Sequence, residues 1–159
     1  AIVVPSNLAY GPQGMGPIPP NTSIKVLIEL VSTKEAVVAK MWDVDSTLFK
    51  VTASGLKYAI IQEGEGELVG KEKQVTVHYS GFLLDGTKFD SSVERDEPFT
   101  FVVGVGQVIP GWDEGVQIMK KGSKARFIVP ANLAYGDRDL GKIPPNSTLI
   151  FDVEVLDVK

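Results

Sequence analysis

The chain has 159 residues, 43% of them hydrophobic, and a net charge of −4 at pH 7. That length accommodates one ordinary domain with an extension or two very small ones, and the composition is that of a soluble globular chain rather than a disordered one. The absence of cysteine excludes disulfides, thiolate nucleophiles and Cys-ligated zinc, and a pI near 5.0 argues against nucleic acid as the main partner.

No stretch of about 18 uninterrupted apolar residues is present to span a membrane. The opening AIVVPSNLAYG has no basic n-region and meets Pro5 too early to read as a signal peptide. Cytoplasm and cell envelope are not distinguished by any of these features.

In chain order, the first feature is half of a repeat. Asn7-Leu-Ala-Tyr-Gly11 followed by Ile18-Pro-Pro-Asn21 recurs as Asn132-Leu-Ala-Tyr-Gly136 followed by Ile143-Pro-Pro-Asn146. The copies align without a gap, and each precedes an apolar run, the first a strand expected over residues 23–31. A repeat spaced by about a domain length fits tandem domains rather than a solenoid. Residues 34–54 read as a linker. Within it TKEAVVAKMWDVDSTLFK (residues 33–50) sets Val37, Val38, Met41 and Trp42 at helical spacing, which predicts a short amphipathic helix. A period-two reading through Trp42 and Val44 fits nearly as well.

From Gly55 the pattern is strand after strand. LKYAIIQEG ends in an acidic, glycine-rich stretch that reads as a hairpin turn. QVTVHYSGFLL alternates Val75, Val77 and Tyr79 with Thr76, His78 and Ser80, and Asp85-Gly86 signals a hairpin leading into KFD. FTFVV, SKARFIVP and STLIFDVEVLDV are three further strands. The helical segment is PGWDEGVQIMKKG, with Pro110 near its start, Asp113 and Glu114 at its positive end, Lys120 and Lys121 at its negative end and Gly122 as cap. Several antiparallel strands and one short amphipathic helix make an α+β domain in which the sheet covers the helix.

The usual chemistry-bearing motifs fail on inspection. Gly104-Val-Gly106 lacks a third glycine at dinucleotide-binding spacing. In GEGELVG, Glu65 and Glu67 would repel a phosphate. His78 is the only histidine and Asp43-Val-Asp45 the densest acidic cluster, and neither supplies a ligand set for zinc or calcium. Asn21-Thr-Ser23 and Asn146-Ser-Thr148 match a glycosylation acceptor, but both follow Pro-Pro and are accounted for by turn chemistry. No Ser/His/Asp arrangement presents itself. What remains is a set of aromatic residues beside turn signals, each of which would serve a core equally well: Tyr79, Phe89, Phe99, Trp112, Tyr135 and Phe151.

VHYSGFLLDGTKFDSS, PFTFVVGVGQVIPGWDEGVQIMKKGSKARFIVP, LAYG and IPPNSTLIFDVEVLDV occur in that order and together resemble the FKBP-type peptidyl-prolyl isomerases over essentially all of residues 55–159. The family's fold is a strongly bent antiparallel sheet wrapped on one short helix, in agreement with the α+β pattern. The resemblance implies a proline pocket floored by Trp112, with Tyr79, Phe89, Phe99 and Phe151 as walls. It implies Val108 and Ile109 at the rim, with the Ile109 amide binding a substrate carbonyl. Tyr135 and Ile143 would come from the loop over the pocket, and Asp90 would stand at its edge with Arg95 as partner. Asp90, Tyr135 and Phe89 are the residues expected to act on the bound peptide. The loop 136–143 is one residue shorter than in the commonest small members and carries Arg138 and Asp139 where those are less charged.

The implied activity is cis–trans isomerisation of Xaa-Pro bonds in peptides and unfolded proteins, assisting folding, with no cofactor, metal or nucleic acid and with rapamycin-type macrolides as inhibitors. The alternative is a chaperone module that holds peptides in the same groove without significant turnover. Members specialised that way often carry a large insertion in the loop over the pocket, and here that loop is short.

Residues 3–33 resemble only the last third of such a unit: loop, Pro-Pro turn and final strand. Val26 and Leu27 stand where Phe151 and Asp152 stand in the second copy. Residues 1–33 are therefore expected to be the C-terminal fragment of a first FKBP-like domain, 34–54 a linker and 55–159 a complete isomerase domain. Either the chain is a piece of a tandem protein or its beginning is missing, and the first copy is expected to form no pocket of its own.

Overall fold

The computed structural model describes residues 1–27, 29 and 36–159, which divide into two units, Ala1–Glu35 and Ala36–Lys159. In the first, β1 (Ile2–Val4) pairs antiparallel with β2 (Ile24–Val26), Ile2 opposite Val26 and Val4 opposite Ile24. Between them lie a 3-10 turn at Ser6–Leu8 and a loop closed by the Asn21 N–H donating to the Gly11 carbonyl at 2.8 Å. The expected strand 23–31 is seen only as Ile24–Val26, and its residues 28, 30 and 31 lie outside the described residues.

The second unit follows its alternating pattern. It contains β3 (Lys50–Val51), β4 (Lys57–Gln62), β5 (Gln74–Leu83), β6 (Lys88–Ser91), α1 (Ser92–Arg95), β7 (Phe99–Val102), α2 (Pro110–Gln117), β8 (Lys124–Val129) and β9 (Leu149–Val158). The strands lie in the order β3-β4-β8-β9-β5-β6, with β7 also on β5. β5 is shared: its first half pairs with β7 (Gln74 opposite Val102) and its second with β6 (Ser80 opposite Ser91). Asp85-Gly86 makes the expected hairpin, with Gly86 at φ 86° and the Asp85 carboxylate accepting the Thr87 N–H at 2.8 Å.

One face of this sheet carries Val75, Val77, Phe127, Leu149, Phe151, Val153 and Val155, all buried against Trp112, Val116 and Met119 from the helical segment. Pro110 is at the first helical position, where its missing N–H costs nothing, and the Asp113 carboxylate accepts the Gly104 and Gly106 N–H groups at 2.8 Å each. That bidentate anchor ties the incoming loop to the helix.

The helix ends at Gln117, earlier than Lys120, Lys121 and Gly122 suggest. Its last carbonyls are taken from outside: Gly70 N–H donates to Gln117 and Val69 N–H to Met119. The donors come from the glycine-rich stretch 64–70, which is not a hairpin turn, because β4 and β5 are not neighbours in the sheet. It runs beside residues 117–121 instead, close enough that a Cβ on Gly64 would lie 2.2 Å from the Lys121 carbonyl oxygen.

Residues 36–45 form no helix; residues 33–35 of the expected helix lie outside the described residues. The segment is held by side chains of the sheet's other face. Arg126 and Asp152, directly opposite on β8 and β9, form a buried two-point ion pair at 2.6 and 2.7 Å. The pair also grips one peptide group: Trp42 N–H donates to Asp152 at 2.8 Å, and Arg126 donates to the Trp42 carbonyl at 2.7 Å. A backbone bound in this way at both N–H and C=O has neither left for a helical ladder. Further along, Glu94 accepts the Ala39 N–H at 2.9 Å, and Asp45, from the acidic cluster, caps the 3-10 turn Ser46–Leu48.

A buried pair of charges is stabilising only when its remaining hydrogen-bonding capacity is met. A chain that begins at Asp45 should therefore be less stable than one that begins at Ala36, by about 1–3 kcal/mol for hydrogen bonds to charged groups. Urea denaturation of the two chains measures this.

Candidate active site

A cleft of about 430 Å³ opens at one end of the core, with Trp112 at its base. The first turn of α2 delivers Trp112 against the sheet, where it is met nearly edge-on by Tyr79 (5.1 Å, 88°) from β5 and Phe151 (5.3 Å, 85°) from β9. Phe89 on β6 meets Phe151 in the same manner (5.6 Å, 86°), and Phe99 on β7 closes the ring 6.3 Å from Trp112. Edge-to-face packing of this kind fixes ring orientation beyond what area burial alone does.

Two local features set this arrangement. Tyr79 lies on the same face as Val75 and Val77 because strand side chains alternate. Gly81 leaves space for Phe89: a Cβ there would lie 2.5 Å from Cζ of that ring and 3.1 Å from the ring of Phe151.

Asp90 stands at the cleft's edge, its charge already engaged. Tyr79 donates its hydroxyl to one carboxylate oxygen, Arg95 donates to the other, and the Ser91 N–H adds a bond at 2.9 Å. Burial alone would raise the Asp90 carboxyl, but the bonds from Tyr79 and Arg95, together with the charge of Arg95, outweigh it and hold the group below the usual carboxylate range. The two tyrosines move the other way. Burial and the bond to Asp90 raise the Tyr79 hydroxyl, while burial and the nearby Asp90 charge raise that of Tyr135. On the far side of Tyr79, buried Ser92 accepts the Tyr79 N–H at 2.8 Å and meets His78 Nδ1 at 3.0 Å, which occupies the lone histidine.

Among the donors at the cleft with no acceptor in the described residues are the N–H of Ile109, the residue before α2, and the hydroxyl of Tyr135, on the loop after β8. The buried indole N–H of Trp112 also makes no hydrogen bond. No group of three His, Cys, Asp or Glu able to hold a cation occurs among the described residues. The arrangement can surround an apolar ring, receive one or two carbonyl oxygens and present a compensated charge beside them.

Of the residues expected from sequence, Tyr79, Phe89, Asp90, Phe99, Val108, Ile109, Trp112, Tyr135 and Phe151 all line this cleft. Ile143 does not. Its side chain is buried in the core while its carbonyl accepts the Leu140 N–H at 3.1 Å. Gln107, Ala134 and Arg138 line the cleft without having been expected there. Gln107 earns its place by a bond to the Val102 N–H at 2.8 Å, a contact that no sequence pattern announces. Phe101, stacked on Phe99 at 5.3 Å, supports the wall from behind.

The family model of FKBP-type peptidyl-prolyl cis-trans isomerases matches residues 65–156. The chain is 53% identical over 110 residues to the FKBP-type peptidyl-prolyl cis-trans isomerase FkpA of Aeromonas hydrophila, covering 69% of this chain and 40% of that protein. It is 54% identical over 99 residues to an FK506-binding protein of Neisseria meningitidis serogroup A, covering 62% and 91% respectively. Among solved structures, FkpA from Escherichia coli matches with a TM-score of 0.67 at 46% identity over 72% of this chain and 53% of that one. AtFKBP13 matches with a TM-score of 0.66 at 40% identity, over 70% and 98%. The chain thus spans only 40% of the length of the FkpA relative from Aeromonas.

The packing sets a graded expectation for substitutions. Trp112→Ala should cost about 3–5 kcal/mol of stability, as for other buried aromatics. Trp112→Phe should cost less than half of that, since the donor it removes makes no bond. Gly81→Ala should cost about 1–3 kcal/mol by driving a methyl into Phe89. Urea titration of the three variants gives the order.

Proposed function

This chain belongs to the family of FKBP-type peptidyl-prolyl cis-trans isomerases, and from that premise we propose that the cleft of the Ala36–Lys159 unit accelerates rotation about Xaa-Pro bonds in peptides and unfolded proteins, assisting their folding. The supporting observation is an aromatic cleft whose one carboxylate is internally compensated and whose donors Ile109 N–H and Tyr135 hydroxyl stand ready for carbonyl oxygens.

The uncatalysed rotation meets a barrier of roughly 18–20 kcal/mol because the planar amide has partial double-bond character. No bond to another atom has to break. The planar form is the more charge-separated and the better stabilised by water, whereas the twisted form has lost that resonance and fares relatively better among aromatic rings. A site that binds the twisted form more tightly than either planar isomer accelerates both directions. An acceleration of about ten-thousand-fold requires about 5.5 kcal/mol of such preference. In this reading Trp112 supports the pyrrolidine ring, with Phe89, Tyr79, Phe99 and Phe151 around it. Ile109 N–H and the Tyr135 hydroxyl hold the flanking carbonyls, and Asp90, kept ionised by Arg95 and Tyr79, orients Tyr79 and polarises the edge. Rapamycin-type macrolides would occupy the same cleft.

A second proposal concerns the first unit: residues 1–33 are the C-terminal part of another copy of this fold. Its support is local geometry. Each half of the repeat pairs its strands in the same register, Ile2–Val26 and Val4–Ile24 in one, Phe127–Phe151 and Val129–Leu149 in the other. In both, the final Asn of IPPN is left-handed (φ 57° and 58°) and its N–H reaches back to the glycine of NLAYG, at 2.8 and 2.7 Å. Leu8 is exposed where its counterpart Leu133 packs against a core. The first unit has no Trp112, Phe89 or Phe99 equivalent and so no cleft of this kind.

Turnover of a proline peptide, with and without a competing macrolide, tests the activity directly; holding without turnover is the outcome that favours the chaperone alternative. The pH dependence tests the mechanism. Asp90 is depressed below its ordinary value of about 3.9 and the tyrosines are raised above about 10, so the cleft keeps one protonation state from about pH 5 to 9. The expected kcat/KM is flat from about pH 5.5 to 8.5 and nearly unchanged in heavy water, since no proton moves. A bell-shaped profile inside that range would overturn the twisted-amide account.

A further inference from the structure

Two charged residues line the cleft, Asp90 and Arg138. They differ in one respect. Asp90 is neutralised by Arg95 and Tyr79, whereas the Arg138 guanidinium makes no ion pair or side-chain hydrogen bond among the described residues. Arg138 is nonetheless not on a loose tether. Its own N–H donates to the Tyr135 carbonyl at 3.3 Å, and the loop on either side is closed by Asn146 N–H to Gly136 at 2.7 Å and Leu140 N–H to Ile143 at 3.1 Å. Of its acidic neighbours, Asp139 accepts the Gly141 N–H at 2.8 Å, and neither Asp137 nor Asp139 forms an ion pair with Arg138. The cleft mouth therefore presents one exposed cation with no ion-pair partner among the described residues, three residues beyond Tyr135; the aspartates on either side of it do not line the cleft, and the other charged lining residue, Asp90, is paired.

Resting on the isomerase reading above, we infer that Arg138 is a specificity-determining residue. It selects Xaa-Pro segments that carry a carboxylate within two positions of the proline, and it disfavours segments with a lysine there. A guanidinium at a solvent-exposed rim is well suited to this: it is always charged, its planar fork matches a carboxylate, and a substrate binds it without either group being buried. The same exposure limits the effect to roughly a two- to five-fold preference, the range of surface ion pairs, and makes it sensitive to salt.

The test uses the full chain and a set of proline peptides differing at a single position, occupied by Glu, Gln or Lys and walked through two places on either side of the proline. Both kcat/KM and the calorimetric Kd are measured at low ionic strength, for the wild type, Arg138→Gln and Arg138→Glu. At one or more positions the wild type should favour Glu over Lys by roughly two- to five-fold, with Gln between them. The preference should vanish in Arg138→Gln, reverse in Arg138→Glu and shrink in about 0.5 M salt. Equal handling of Glu and Lys peptides at every position, or an unchanged preference in Arg138→Gln, overturns the assignment. If no peptide is turned over, the isomerase reading fails, while the Kd ratios still decide the role of Arg138. Because Arg138 is exposed and makes no side-chain bond among the described residues, its variants should fold as the wild type does, which a thermal melt verifies.

Discussion

The cleft follows from a mismatch of lengths. An eight-residue helix spans about 12 Å, whereas the ten-residue strands β5 and β9 each run to about 33 Å. A sheet bent around so short a helix cannot have its whole concave face covered by it. One end is filled by aliphatic side chains such as Val75, Val77 and Val155, and there the core closes. At the other end the cover is a ring of aromatic side chains, each contributed by a different strand and turned edge-on to Trp112. The space these rings border is the cleft. The site thus lies at the N-terminal end of the helix, where Trp112 from its first turn meets the aromatic walls.

Electrostatics on the two faces of the sheet are arranged by the same logic of compensation. On the convex face the Arg126–Asp152 pair is buried and would be costly if its capacity were unmet, and the Trp42 peptide completes it. On the concave side Asp90 could disturb an apolar site, but Arg95 and Tyr79 engage both its oxygens. The hydrogen bond from Tyr79 does two jobs here, since it spends the hydroxyl that would otherwise compete for a bound carbonyl. Among the donors left unoccupied at the cleft are the Ile109 N–H and the Tyr135 hydroxyl. A sheet carrying charged residues on both faces can still present a cleft of mostly apolar character.

How much of this was legible in the sequence depended on the range of the interaction concerned. The alternation of Val75, Val77 and Tyr79, the Asp85-Gly86 turn and the Pro110 helix start are set by neighbours a few residues away, and they could be read directly. The helix end was not, because Lys120, Lys121 and Gly122 satisfy the local rules for a C-terminus while the glycine-rich stretch 64–70 supplies the actual partners of Gln117 and Met119. The segment 36–45 misled for the same reason: its apolar spacing suits a helix, yet a charge pair more than eighty residues away takes its Trp42 peptide group. At the site, the aromatic set came from family resemblance rather than periodicity, and the inward turn of Ile143 depends on loop geometry that no local pattern records.

The repeated phrase separates these two kinds of information within one chain. NLAYG and IPPN specify their turn through short-range features, a left-handed Asn, a Pro-Pro step and a glycine carbonyl placed to receive the Asn amide. At the NLAYG turn and the closing Asn the backbone is accordingly alike in both copies. What the phrase does not carry is burial. Leu133, Tyr135 and Phe151 become parts of a core and a cleft because a helix and four other strands surround them, whereas Leu8 and Tyr10 in the same backbone setting stay largely exposed. Pocket chemistry therefore cannot be assigned from the phrase alone, even where its turn is reproduced. The tyrosine of this loop lines a cleft only where the remaining walls, Tyr79, Phe89, Phe99, Trp112 and Phe151, are present beside it.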